Sequence, residues 1–302
     1  SRGVNPASAI WVIAVILNGF GGEKKEGNNG DFYAWSMEVY NNPTDSTSHL
    51  YVGTSNTAGC ELWRSIDGKT WEPVISYSNW IFSLLHNADF PRGFGRHSLI
   101  DGIRCMSIYS GDLYVGTTRL GYGYVTYKNL FPYLERGTVT LKIPPIGAQM
   151  WKYSGTKDQW EQVIGGLGRE VTDNGFGDSK NIEMWSIETL DNTLYVGTMY
   201  TEPPHAIYEK LGLFHWMFTF SKEKNIKIGG EIWATQNGKT WIQLVGDEAH
   251  LRNNSYPPNG FGDFFNGMRV MEKYILQGVN RLVVGTLNQV TGCEVWMYTP
   301  IE

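Results

Sequence analysis

The sequence predicts an all-β protein, a β-propeller of four blades with four antiparallel strands each. Three observations carry that expectation. A short β-rich word, Leu-Tyr-Val-Gly-Thr, stands at Leu50–Thr54, Leu113–Thr117 and Leu194–Thr198, with Leu282–Thr286 as a variant. Each copy is followed by a segment ending in Trp63, Trp151, Trp233 or Trp296, and three of these by a Trp-led run at Trp71, Trp160 and Trp241. Gly-Phe-Gly recurs around Phe20, Phe94, Phe176 and Phe261, each time before another strand-like run. Internal self-similarity of this kind marks a repeat architecture. Runs rich in Val, Ile, Tyr, Trp and Thr between Gly, Asn, Asp and Ser mark the unit as strands joined by turns.

The blades are expected at about residues 35–76, 102–164, 182–245 and 268–298, in one domain spanning 1–302. The last unit stops at Tyr298 without a Trp-led strand. Ile10-Trp11-Val12-Ile13 has that composition, so residues 10–16 are expected to close the ring as the missing strand. Closure removes the sheet edges that an open array exposes. Five blades, one of them hidden in the long insertions, is the alternative. The Trp register agrees with four: Trp63, Trp151, Trp233 and Trp296 share one position, Trp71, Trp160, Trp241 and Trp11 a second, and Trp35 and Trp185 a third. Large aromatics in such rows pack between strands and between blades.

Composition narrows the function. The 302 residues carry 25 basic and 30 acidic side chains, a net charge of −5, which argues against nucleic acid as a partner. Ala9 to Leu17 is too short to span a membrane and reads as a strand. Cys60, Cys105 and Cys293 form no CxxC pair and no even set, so no metal ribbon or disulfide framework follows. Cys60 and Cys293 sit in the same Gly-Cys-Glu context on different units, too far apart to bridge, and are expected to be buried thiols. No Walker, dinucleotide or GxSxG motif is present.

Loop length picks a face. Asp67-Gly68, Asn237-Gly238 and Ser154-Gly155 make tight turns between third and fourth strands, and both central residues of such hairpins are expected to take positive φ. The long segments, Tyr77 to Asp101, Arg119 to Gly147 and Met199 to Gly229, fall on the opposite side with five of the six histidines. Binding residues concentrate on loops held by a rigid scaffold. The repeat leaves Trp80, His86, Arg92, His97, Tyr122, Tyr124, His205 and Trp216 unexplained there, and these are the expected ligand-binding residues. The histidines lack any tight metal spacing, and no metal site is expected.

The apolar run Leu213, Phe214, Trp216 and Phe218 must be covered, by a neighbouring insertion or by self-association. No cofactor is expected. The Asn174–Asp178 and Asn259–Asp263 loops offer hard oxygens to calcium, but Arg96 in the corresponding Gly93–Arg96 loop favours a structural reading, with Gly allowing positive φ and Phe wedging between blades. Glu61, Glu231 and Glu294, with Gln149 in the fourth copy, are read as structural acceptors for the Gly-Phe-Gly backbone.

The turn Ser65-Ile66-Asp67-Gly68-Lys69-Thr70-Trp71 resembles the Asp-box hairpin of sialidase-like propellers, and Thr235–Trp241 is a second copy. Both are one residue shorter than the family's Ser-x-Asp-x-Gly-x-Thr-Trp, and the Ser154–Trp160 copy is further degraded. In that family the box is a structural turn distant from catalysis. The resemblance therefore implies a propeller in an extracellular or cell-surface setting and no particular activity. The family's Phe/Tyr-Arg-Ile-Pro motif is absent, since Phe90-Pro91-Arg92 does not match it.

The leading expectation is a non-catalytic secreted or surface module that binds a glycan or protein through the long-loop face. The alternatives are a glycan-active hydrolase or lyase using Asp89, Asp101, Glu202, Asp247 or Glu248 on that face, or a structural subunit of a surface assembly.

Overall fold

A computed structural model describes residues 33–44, 46–55, 60–75, 100–119, 123–128, 138–143, 147–155, 160–166, 171–200, 230–246, 268–276, 279–286 and 293–298. The chain is all-β and mostly antiparallel. Strands β1 (Tyr33–Asn42), β2 (Thr47–Ser55), β3 (Leu62–Ser65) and β4 (Glu72–Ile75) pair in chain order as a meander. A second meander contains β5 (Ile100–Tyr109) and β6 (Asp112–Arg119). Next come β7 (Gly123–Lys128) and β8 (Thr138–Ile143), which pair only with each other among the described residues. The long segment between Arg119 and Gly147 thus contains a hairpin of its own, favoured by its Tyr, Val and Thr content. Strands β9 (Met150–Tyr153) and β10 (Trp160–Ile164) complete the second meander on β6.

The third meander is β11 (Asn181–Leu190), β12 (Thr193–Tyr200), β13 (Ile232–Thr235) and β14 (Ile242–Val245). The last described group is β15 (Met268–Leu276), β16 (Val279–Thr286) and β17 (Val295–Tyr298). The expected closing strand at 10–16 lies outside the described residues.

The core lies between the meanders. Tyr40, Tyr51 and Leu62 of the first meet Ile103, Leu113, Val115 and Tyr153 of the second. Tyr114, Met150 and Ile164 of the second meet Met184, Val196 and Trp233 of the third. Leu190, Tyr195 and Ile232 of the third meet Leu282 and Val284 of the last group. Each sheet therefore buries a face against its neighbour, which is how a chain of small sheets forms one hydrophobic interior.

This packing explains the glycine of Leu-Tyr-Val-Gly-Thr. A β-carbon on Gly53 would collide with Ile103 of the next meander. On Gly116 it would lie 2.5 Å from Cys105 Sγ and 2.6 Å from Met184 Cβ. The threonine that follows has a second task. Thr54 donates from N and Oγ1 to the Glu61 carbonyl and accepts from Glu61 N at 2.9 Å. Thr117 with Gln149 and Thr286 with Glu294 repeat the clasp, and Thr198 with Glu231 keeps its two amide bonds while the Thr198 hydroxyl donates to Asn181 Oδ1 instead.

The side chain at the Glu position then holds the indole two residues on. Trp63, Trp151, Trp233 and Trp296 donate Nε1 to Glu61, Gln149, Glu231 and Glu294 at 2.9, 3.3, 2.8 and 2.8 Å. The role is structural, as expected, but its partner differs in the described Gly-Phe-Gly copy. There the Gly175 amide donates to the Ala148 carbonyl, one residue before Gln149. Asn181 makes the link to the Glu position instead, donating Nδ2 to Gly175 O at 3.0 Å and to Glu231 Oε2 at 2.8 Å.

Gly175, Phe176 and Gly177 all have positive φ, at 65°, 58° and 85°. The Phe176 ring stacks on Trp233 at 4.8 Å and meets Trp241 edge-on at 5.2 Å, the wedge the repeat predicts. In that loop Asp178 Oδ1 accepts from Lys180 N, and Asn174 Oδ1 from Gly166 N.

The turns divide labour differently from the expectation. Positive φ at both central residues belongs to the first hairpins, Ser110-Gly111 and Asp191-Asn192. In the Asp67-Gly68 and Asn237-Gly238 turns only the glycine is positive, at 70° and 69°. There the preceding side chain shapes the turn. Asp67 Oδ1 accepts from Lys69 N at 2.8 Å and Thr70 N at 2.7 Å. Asn237 Oδ1 does the same for Lys239 N and Thr240 N. This is an Asx-type turn, which frees the residue from positive φ.

Cys60 and Cys105 are buried, but Cys293 is exposed, against expectation. Among the described residues β17 is the outer strand of its sheet, whereas β3 is covered by β4.

Two measurements test these contacts. Gly116→Ala should lower stability by about 1–3 kcal/mol in chemical denaturation, the usual cost of overfilling a packed interior. The backbone bonds to Asp67 hold its carboxyl down at about 2, against 3.8 ordinarily. A folded-state value lowered in this way stabilises the hairpin fully above the ordinary value and progressively less as pH falls toward 2. A carboxyl titration followed by NMR should find that low midpoint, and one near 3.8 would show that the bonds do not persist in solution.

Candidate functional site

The first strands β1, β5, β11 and β15 lie side by side, each neighbouring the next. Each carries a bulge at the same register, opposite the Gly-Thr of the repeated word. The extra residue is Trp35 in β1, Arg104 in β5, Trp185 in β11 and Arg269 in β15. A bulge re-aims a side chain without ending the strand. The sequence thus places Trp, Arg, Trp and Arg at equivalent points of four strands.

Three of these side chains form a layered stack. The Arg104 guanidinium lies 4.7 Å from the Trp35 ring and 4.6 Å from the Trp185 ring. Tyr33 extends the stack, its ring 5.6 Å from Trp35 and within 9° of parallel. Tyr33 is exposed and Trp185 is buried, so the stack runs from solvent into the protein. A cation between two indoles gains from both ring quadrupoles, and arginine suits this because its planar head is weakly hydrated. Gly102 makes room: a β-carbon there would strike the Trp35 ring.

One row of paired residues crosses the sheet beside the stack. Tyr33 pairs with Ser55, Ser55 with Gly102, Gly102 with Thr118, and Thr118 with Glu183. The Glu183 carboxylate lies 3.3 Å from Arg104 Nε, at ion-pair distance but outside hydrogen-bond alignment, and both side chains are about one-fifth exposed. An aromatic platform, a clamped cation and a carboxylate therefore meet at one end of the first strands. The connections after the second strands, at Ser55, Arg119 and Tyr200, and those into the first strands at Ile100 and Asn181 all meet the sheet at this end.

Of the residues expected to bind ligand, Tyr124 falls within β7, opposite Lys142. Trp80, His86, Arg92, His97, Tyr122, His205 and Trp216 lie outside the described residues, as do Leu213, Phe214 and Phe218. Sequence reasoning grouped Trp35 and Trp185 as packing residues and did not single out Arg104. It did not see that one bulge position unites them. Aligning the residue before Ser36, Cys105 and Ser186 against the repeated word is the signal that finds it.

Among the described residues no group of three or more His, Cys, Asp or Glu side chains is placed to hold a metal, and no helix is long and apolar enough to cross a membrane.

No protein-family model matches the sequence, and no curated protein does. Solved structures do match. The Bombyx mori GH32 beta-fructofuranosidase is 10% identical, with a TM-score of 0.34 over 88% of this chain and 46% of the other. The endo-arabinase from Bacteroides thetaiotaomicron is 12% identical, with a TM-score of 0.38 over 86% and 73%. The Trypanosoma rangeli sialidase is 10% identical, with a TM-score of 0.31 over 86% and 46%. The chain spans less than half the length of the fructofuranosidase and the sialidase. These proteins are glycan-cleaving enzymes, and the expectation of a non-catalytic binding module is corrected on that finding; at such scores the likeness supplies neither a substrate nor a site.

Proposed function

We propose that this chain is a glycan-active hydrolase acting at the end of the first strands where the aromatic stack meets Glu183. The observation that carries the reading is that meeting: Tyr33 and Trp35 offer flat apolar surface for a sugar ring, and a carboxylate stands beside them. Arg104 stands beside Glu183 and balances the charge that a base or nucleophile would carry. Glycoside hydrolysis canonically uses two carboxyl groups. Asp101 is the candidate partner. It occupies the β5 bulge between Ile100 and Gly102, two strands from Glu183, which sets the backbones about 10 Å apart. In this scheme Asp101 protonates the leaving oxygen while Glu183 activates water or attacks the anomeric carbon.

The fold proposed with this function is the four-bladed propeller. In it residues 10–16 pair with β17 and complete the last blade, in place of the five-bladed alternative. β17 is the outer strand of its sheet among the described residues, and its free edge offers the backbone groups such a strand would pair with.

The test of activity is hydrolysis of a panel of chromogenic furanosides, pyranosides and uronides. Wild type should turn over at least one, and Glu183→Gln and Asp101→Asn should each lower the rate about 100-fold or more with unchanged circular dichroism. No turnover across the panel, or full activity in both variants, sinks the reading. For closure, amide exchange at residues 10–16 should be as slow as in β16. Free exchange there would rule out the closing strand.

A further inference from the structure

Arg119 ends β6 at the same end of the sheet, opposite Ile100. Its side chain is only 6% exposed, yet no hydrogen bond or ion pair reaches it among the described residues, and its Nε is buried without a partner. Alternation along β6 sets it on the face of Val115 and Thr117, the face turned to the first meander. The other charges nearby do not neutralise it: Glu183 is spent on Arg104, on the neighbouring strand. Burial alone lowers its pKa, to about 10, so it stays a cation at neutral pH. A buried unpaired charge is among the least tolerable features of a folded protein and persists where something outside the fold completes it.

We propose that Arg119 receives a carboxylate borne by the substrate, so that the glycan cleaved here is an acidic one containing uronic acid. The inference rests on the hydrolase reading for its context but not for its test. A planar fork of N–H donors matches a carboxylate in two-point contact, and exclusion of water strengthens that contact. Arg119 and Glu183 sit on paired strands one residue apart in register, at Thr118. Thr118 and Glu183 are paired and share one face while Arg119 takes the other, so a sugar carboxylate on Arg119 would belong to a unit reaching round the end of β6 from the ring beside Glu183. The selectivity that follows is for anionic over neutral sugars, because a neutral ring leaves the cation unpaired.

The experiment uses the full chain carrying Glu183→Gln, which binds without turnover, and reads glucuronate, glucose and inorganic sulfate by calorimetry and thermal shift. Glucuronate should raise the melting temperature and glucose should not. Arg119→Met should abolish the response while melting higher than its parent without ligand, because an unpaired cation has been removed. Arg119→Lys should keep the charge and lose at least tenfold in affinity with the two-point contact. A sulfate response equal to that of glucuronate would reveal a generic anion hole and overturn the assignment. So would indifference to glucuronate, or an Arg119→Met variant that melts lower. Binding of glucuronate by a chain that hydrolyses nothing would retain this site and remove the enzyme.

Discussion

Everything in this protein depends on one close approach: the first strands of the second and third meanders lie against the glycine of the preceding unit's second strand. Gly53 under Ile103 and Gly116 under Cys105 and Met184 let neighbouring sheets meet without a side chain between them. Three apolar interiors follow, each shared by two units. A single four-stranded meander has too little surface to bury on its own, so the units are stable only as neighbours. The Tyr hydroxyls tighten the same interfaces: Tyr40 donates to Gly111 O and Tyr109 to Asn192 O, each fastening a first strand to the next unit's turn.

Around that approach the polar groups are linked in repeated networks. The clasp of Thr, Glu and Trp in three units, with Gln149 in place of Glu in the fourth, ties the second strand to the third and fixes an indole in place. Asn181 extends the clasp to the Gly-Phe-Gly loop, and Thr198 Oγ1 donates to its Oδ1 at 3.0 Å. Buried polar networks of this kind specify one packing over its competitors when each member is satisfied. Against this background two arginines stand apart. Arg104 is held by rings and a carboxylate, whereas Arg119 is buried without either. Buried atoms without a hydrogen bond also occur at Ser186, Trp241 and Arg281, but Arg119 adds a charge that burial perturbs, and perturbed charges cluster where ligands bind.

The recurring words of the sequence made much of the fold legible. Leu-Tyr-Val-Gly-Thr became second strands, the Trp-ending segments third strands, and Phe176 the expected wedge, because each rests on local composition and period. What misled lay where side chains compete with backbone rules. Asp67-Gly68 looks like a turn needing two positive φ values, yet the carboxylate takes the amides and only Gly68 turns positive. Cys293 shares its neighbours in sequence with Cys60 but not its cover in space. The loop residues Trp80, His205 and Trp216 attracted attention because the repeat did not explain them. The site described here uses residues that the repeat seemed to explain.

By itself the sequence determined the strands, their order and the packing positions, because hydrophobic period and turn chemistry act within a few residues. Tertiary structure decided which charges meet. Trp35, Arg104 and Trp185 come from three different meanders, and only bulges at one shared register, on strands brought together by packing, place a guanidinium between two indoles beside Glu183. That juxtaposition depends on distances between segments far apart in the chain, which local composition does not encode.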